Sequence, residues 1–161
     1  MLKTHSVYRL PLFLKGLLVL LIMCVTGCAS PKYQPRSELG NGSPYVIMGE
    51  TYEVLYTSEG FRQTGRASWS GERFHGDMTS SGESYDMYAM TAAHPTLPIP
   101  TKVRVTNTEN GRVVVVTIND RGAWHSDEAI VLSYAAAKQL DLLTSETAKV
   151  KIESLYVPAP E

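Results

Sequence analysis

Residues 91–122 (TAAHPTLPIPTKVRVTNTENGRVVVVTINDRG) constrain the fold more than any other stretch, because they join two strand-like runs through one tight turn. Residues 102–107 alternate charged and apolar side chains, the period-two pattern of a half-buried strand. Residues 112–118 contain four consecutive valines, which suit a strand covered on both faces. Asn110-Gly111 between them is a hairpin signal, since both residues tolerate positive φ. Antiparallel pairing sets the entry of the first strand beside the exit of the second. His94, just before the first run, and Asp120, just after the second, are therefore expected beyond the same end of the hairpin. Two titratable groups meeting at the mouth of a packed β-core make a candidate site.

The flanking sequence supplies more short strands. From Pro44 onward, PYVIMG and TYEVLY read as an N-terminal strand or an extended arm laid on the core. GRASW at 65–69 is a short strand running into a polar, glycine-punctuated loop over 71–86, and a loop of that length inside a domain is more often functional than idle. Residues 87–93 bring a short strand to His94, and Pro95, Pro98 and Pro100 exclude helix beyond it. Residues 130–132 form an apolar strand. Ser133 caps a helix from Tyr134 to about Leu143, with Ala136, Leu140 and Leu143 on one face. Residues 148–154 alternate again as the last strand, and 156–161 form a tail. The sum is a mainly β domain over 44–155 with one short α-helix, whose strand edges are best hidden by closure into a barrel.

The N-terminal residues are of a different kind. Lys3, Arg9 and Lys15 lie in the first 27 residues, which contain no acidic side chain, and an apolar run (GLLVLLIMCV) follows at 16–25. That run is shorter than the roughly 20 residues of a permanent membrane helix but fits a signal-peptide core. Gly27 directly before Cys28 resembles the lipobox of bacterial lipoproteins, which implies cleavage before Cys28 and acylation of it. More than one acyl chain holds a protein firmly to a membrane. Ala29 rather than aspartate next to it implies export to the outer membrane, hence a periplasmic, lipid-anchored location. Residues 28–43, rich in Pro, Ser, Gly and charge, read as a flexible tether. Beyond residue 27 the chain holds 12 basic and 16 acidic residues, a net of −4, which leaves no electrostatic footprint for nucleic acid. The cysteines are Cys24 and Cys28, so no disulfide is expected in the mature domain.

The motifs from Gly65 through Asp120-Arg121-Gly122 (GRASW, FHG, SSGESYD, TAAHPTLPIP, KVRVTN, NGR, NDRG) followed by LSYAAA resemble, in order and spacing, the rare lipoprotein A family. That resemblance implies a six-stranded double-psi β-barrel related in fold to expansins. It implies lytic transglycosylation of peptidoglycan glycan strands, preferably peptide-free, during cell-wall remodelling and daughter-cell separation. Division-site proteins are then candidate partners. The family's active-site positions match Glu83, His94 and Asp120. Asp120 would be the principal acid/base, Glu83 a second carboxylate that stabilises positive charge or shares proton transfer, and His94 a group that orients a carboxylate or donates to the sugar. Trp69, Phe74, Tyr85 and Trp124 are candidates for stacking on sugar rings, and Arg121 beside them is a candidate substrate contact that also braces the turn.

The chain departs from the family pattern at several positions. Ser70 replaces a tyrosine after the tryptophan, and Gly122-Ala123-Trp124 replaces a Gly-Pro-aromatic step. Glu128 and Val131 stand where the family has arginine and aspartate. The alternatives are a glycan-binding barrel that loosens without cutting, a scaffold lipoprotein for division proteins, and a metal hydrolase using His75, His94, His125, Asp77 and Glu83. No HExxH-type spacing or cysteine pair supports the last, so no metal or cofactor is expected.

Overall fold

A computed structural model of the protein describes residue 41 and residues 44–125 and 127–156. The leader, Cys28 and the rest of the tether over 28–43 apart from Asn41 lie outside the described residues, as does the tail from residue 157. Strands β1 (Tyr45–Ile47) and β2 (Glu50–Tyr52) form a small antiparallel hairpin of their own. Six more strands close a barrel: β3 (Arg62–Ser70), β4 (Thr91–Ala93), β5 (Thr101–Asn107), β6 (Val113–Asp120), β7 (Glu128–Ser133) and β8 (Ala148–Ser154). Around the barrel they run β3-β7-β4-β6-β5-β8, and β8 pairs back onto β3. The β3–β7 and β4–β6 junctions are parallel and the other four antiparallel. This is the expected double-psi barrel. Closure satisfies the ladder groups that short, open-edged strands would leave exposed.

Alternation fills the interior. Val103 and Val105 of β5, Val114, Val116 and Ile118 of β6, Ile130 and Leu132 of β7, and Val150 and Ile152 of β8 are all buried. Each such side chain contributes about 1.5–3 kcal/mol relative to exposure. The single helix, α1 (Tyr134–Gln139), begins where the Ser133 side chain accepts from the Ala136 amide. With the turn after it, α1 adds Ala136, Ala137, Leu140 and Leu142 to the same core. Two crossings are too tight for any side chain. A Cβ on Gly65 of β3 would lie 2.5 Å from the Ala129 Cβ of β7, and one on Gly122 would lie 2.7 Å from the Ala93 Cβ of β4.

Several sequence expectations need correction. The four valines are not covered on both faces: Val113 and Val115 are 50% and 45% exposed, because a closed barrel covers only its inner side. The turn between β5 and β6 is a four-residue loop, with Asn107 paired to Arg112 and positive φ at Gly111 but not at Asn110. The strand before His94 is three residues long, since Asp86 accepts from the Tyr88 amide and turns the chain away from an extended path. Strand β3 starts earlier than expected, at Arg62, because its polar first half is paired by β8. The helix ends at Gln139, not near Leu143, where Asp141 adopts a φ of 59°.

If the β3–β7 crossing sets the girth of the barrel, Gly65→Ala should destabilise it by about 1–3 kcal/mol in urea unfolding. Ala129→Gly in the same chain should recover part of that loss. A Gly65→Ala chain as stable as the parent would show that the two strands have slack.

Candidate active site

The loop over 71–86 is an ordered flap. It opens with a 3-10 turn (Glu72–Phe74), doubles back through a Met78–Ser84 bridge, and turns at Gly82 with φ 84°. Its tip docks on the end of β6, where the Ser81 amide donates to the Asn119 carbonyl at 3.0 Å. Thr79 and Ser80 are buried by this docking. The flap thereby delivers donors to Asp120. Its Oδ1 accepts from the Ser80 amide at 2.8 Å, the Ser80 hydroxyl at 2.7 Å and the Arg121 amide at 2.8 Å. Three donors on one oxygen fix the plane of the carboxylate.

Asp120 borders a cavity of about 180 Å³ between β4, β6, β7 and the flap. Phe74, Tyr85 and Trp124 wall it, Val131 lines it, and Glu128 is a second acidic residue beside it. Arg73 lies over the Phe74 ring at 4.8 Å. Tyr45 and Tyr52 of the β1–β2 hairpin hold Trp124, with ring centroids 6.0 and 5.2 Å away at steep interplanar angles. Burial raises the Tyr45 pKa to about 12, and its hydroxyl donates to the Pro95 carbonyl. The N-terminal arm therefore serves the site by fixing one of its walls.

The three expected catalytic residues do not share one cleft. Glu83 accepts from Ser81 Oγ at 3.1 Å and Asn119 Nδ2 at 3.2 Å, and it borders a neighbouring cavity of about 370 Å³. Asn119 lines both cavities, so the two carboxylates flank one residue of β6. His94 is 1% exposed and stands behind the site. Its amide donates to the Asp120 carbonyl at 3.1 Å, an adjacency expected from the sequence but made here by the parallel β4–β6 pair rather than by the hairpin. Its ring points elsewhere. Nδ1 accepts from the Thr96 and Leu97 amides, both at 3.1 Å, so the ring proton sits on Nε2 and is donated to Gln63 Oε1 at 2.9 Å. Such a ring does not reach a sugar.

Arg121 and Trp69 are likewise corrected as substrate contacts. Arg121 is 1% exposed, and its Nη1 donates to the carbonyls of Leu97 at 2.6 Å and His94 at 3.2 Å, with Nη2 3.4 Å from Asn41 Oδ1. It braces the turn. Trp69 packs on Tyr134, at 6.0 Å between centroids, outside the residues lining the Asp120 cleft. Ser80, Asn119, Asn41 and Gln63 were not singled out from sequence. The run of hydroxyls at 79–81 was the available signal, but serines in a polar loop look the same whether solvated or docked.

Burial, and then the charge of Arg121, lower the His94 pKa from the ordinary 6.5 to about 3. Protonation would also set a proton on Nδ1 against two N–H donors. The native ring refuses a proton that the unfolded chain accepts, so its stabilisation is complete above about pH 6.5 and is lost as pH falls towards 3. The stability gap between the parent and His94→Gln should therefore shrink by about 2–3 kcal/mol between pH 7 and 4.5 in urea titrations. Carboxylate effects common to both chains cancel. An unchanged gap would mean that the native imidazole titrates normally.

Comparison with known proteins now adds to this geometry. A family model described as lytic transglycolase matches residues 62–152, all of the barrel but the last two residues of β8. An endolytic peptidoglycan transglycosylase RlpA of Vibrio cholerae is 49% identical over 132 residues, covering 82% of this chain and 50% of that protein. Proteins of the same name from Pseudomonas aeruginosa and Neisseria meningitidis are 48% and 53% identical over 75% and 69% of this chain, and 36% and 46% of their own lengths. The chain thus spans about half or less of the length of these relatives. Because the model reaches all six barrel strands together with the flap and the strand end that carries Asp120, this chain belongs to the lytic transglycolase family, with RlpA proteins among its relatives.

Proposed function

We propose that the barrel cleaves the glycan strands of peptidoglycan as a lytic transglycosylase. The observation that carries this reading is Asp120. Its carboxylate is held rigidly by Ser80 and Arg121 at the edge of an open, aromatic-walled cleft. Breaking a β-1,4 glycosidic bond needs a proton delivered to the leaving oxygen while positive charge develops at the anomeric carbon. In a lytic reaction the C6 hydroxyl of the same sugar attacks that carbon. The C1–O4 bond breaks, a C1–O6 bond forms, and the C6 hydroxyl proton returns to the group that gave one up. One acid/base therefore suffices, no water is consumed, and the product ends in a 1,6-anhydro sugar.

Asp120 is assigned as that acid/base, with Phe74, Tyr85 and Trp124 as stacking walls. Glu83 lies on the other side of Asn119 and is assigned to charge stabilisation along the strand. His94 acts as a positioning residue, through the turn on which Arg121 docks. The lipobox at Cys28 and Ala29 supports anchoring to the periplasmic face of the outer membrane. Val131 in the cleft favours a second reading, a barrel that binds glycan without cutting it.

Peptide-free glycan strands incubated with the purified chain separate the two. Fragments with 1,6-anhydro ends are expected, and retention of strands without fragments would leave only the binding barrel. Asp120→Asn should lower product release by at least about 100-fold, the scale of acid/base catalysis, with its unfolding midpoint retained. Undiminished release would remove Asp120 from the chemistry. Glu83→Gln should reduce the rate less, and a full rate would assign Glu83 to structure.

A further inference from the structure

Beside the cleft, a second group of aromatic side chains has no part in the chemistry above. His75, Tyr88, Tyr134 and Trp69 form a chain of edge-to-face rings with successive centroids 5.9, 6.3 and 6.0 Å apart. Tyr88 keeps 68% of its surface exposed, so core packing does not account for it. Tyr88, Tyr134, Lys138 and Gln139 border a shallow depression of about 620 Å³. The backbone beneath is fixed: the Ala135 amide donates to the Met87 carbonyl at 3.0 Å, and the Ser133 hydroxyl to the Ala89 carbonyl at 2.6 Å. A surface already ordered loses little freedom when a ligand settles on it.

This shelf is continuous with the cleft. Ser70 and Ser133 line the cleft, and their chain neighbours Trp69 and Tyr134 belong to the shelf. Tyr85, a cleft wall, donates its hydroxyl to the Ser70 carbonyl at 2.8 Å. A polymer leaving the cleft across this edge meets tyrosine rings first, then the exposed ammonium of Lys138 and the amide of Gln139. Tyrosine offers an apolar face for a sugar's C–H groups and a hydroxyl for its polar rim. An ammonium on a flexible stem suits a single carboxylate. The muramyl units of a glycan strand stripped of peptide carry one such carboxylate each, on the lactyl group.

We propose that the Tyr88–Tyr134 shelf is an outer glycan subsite that seats a saccharide unit beyond the cleft and pairs its lactyl carboxylate with Lys138. The inference rests on the glycan reading of the cleft. The test uses the full chain carrying Asp120→Asn, so that binding is read without turnover. Tyr88→Ser and Lys138→Glu are each added, then combined. The double variant should bind long peptide-free strands about tenfold more weakly, from the loss of one stacking contact and one ion pair. A tetrasaccharide too short to leave the cleft should bind unchanged. The Lys138→Glu defect should diminish on strands whose lactyl carboxylates have been amidated. Undiminished affinity for long strands, or an equal loss on the tetrasaccharide, overturns the subsite. If the parent cleaves strands while the variants bind normally, the shelf alone is wrong; if the chain binds no glycan at all, shelf and cleft readings fall together.

Discussion

Arg121 carries a guanidinium almost wholly out of water, and the arrangement around Asp120 depends on how that charge is accommodated. Burial lowers its pKa, while the fields of Tyr45 and Asp120 oppose the shift. Removing a cation from water costs several kcal/mol unless its donors find partners. Here they find the carbonyls of His94 and Leu97, which belong to a turn with no regular ladder of its own. The two needs are met together: the turn supplies acceptors for the cation, and the cation holds the turn against the end of β6. His94 completes the turn from within, its Nδ1 gathering the two amides that follow. A histidine selected as a catalytic candidate thus becomes part of the frame.

The flap applies the same economy to the carboxylates. Ser80 binds Asp120 and Ser81 binds Glu83, while Asn119 and Asp120 receive the flap tip on consecutive residues of one strand. Asn119 borders both cavities while Asp120 and Glu83 border one each, so this docking holds the two acids at separate cavities. Displacement of the tip would disturb both at once.

Much of this was legible from sequence because it depends on local pattern. The alternation in KVRVTN and AKVKIES fixed which faces of β5 and β8 turn inward, and the Ser133 cap located the start of α1. That His94 and Asp120 lie together was expected from the hairpin, but the contact itself is made by the parallel β4–β6 pair, with Ala93 opposite Asp120. Family motifs supplied the barrel topology, which no period reveals, since parallel β3–β7 and β4–β6 pairs join residues far apart in the chain. Side-chain direction at strand ends was not legible. Whether His94 faces the cleft or the core depends on Gln63 and on the amides of residues 96 and 97, which carry no distinguishing signature. The valine run misled for a related reason: β-branched residues favour strands whether or not the outer face is covered.

The bare crossings at Gly65 and Gly122 bear on how such a barrel can diversify. With Ala129 and Ala93 already pressed against those backbones, there is no room to widen or narrow the wall by trading core residues. The span across the mouth is inherited from the strand geometry and held constant. Novelty in what the mouth accepts must then arise from the flap and the segment over 86–90, which can lengthen, shorten or change character while the acid stays where the scaffold puts it.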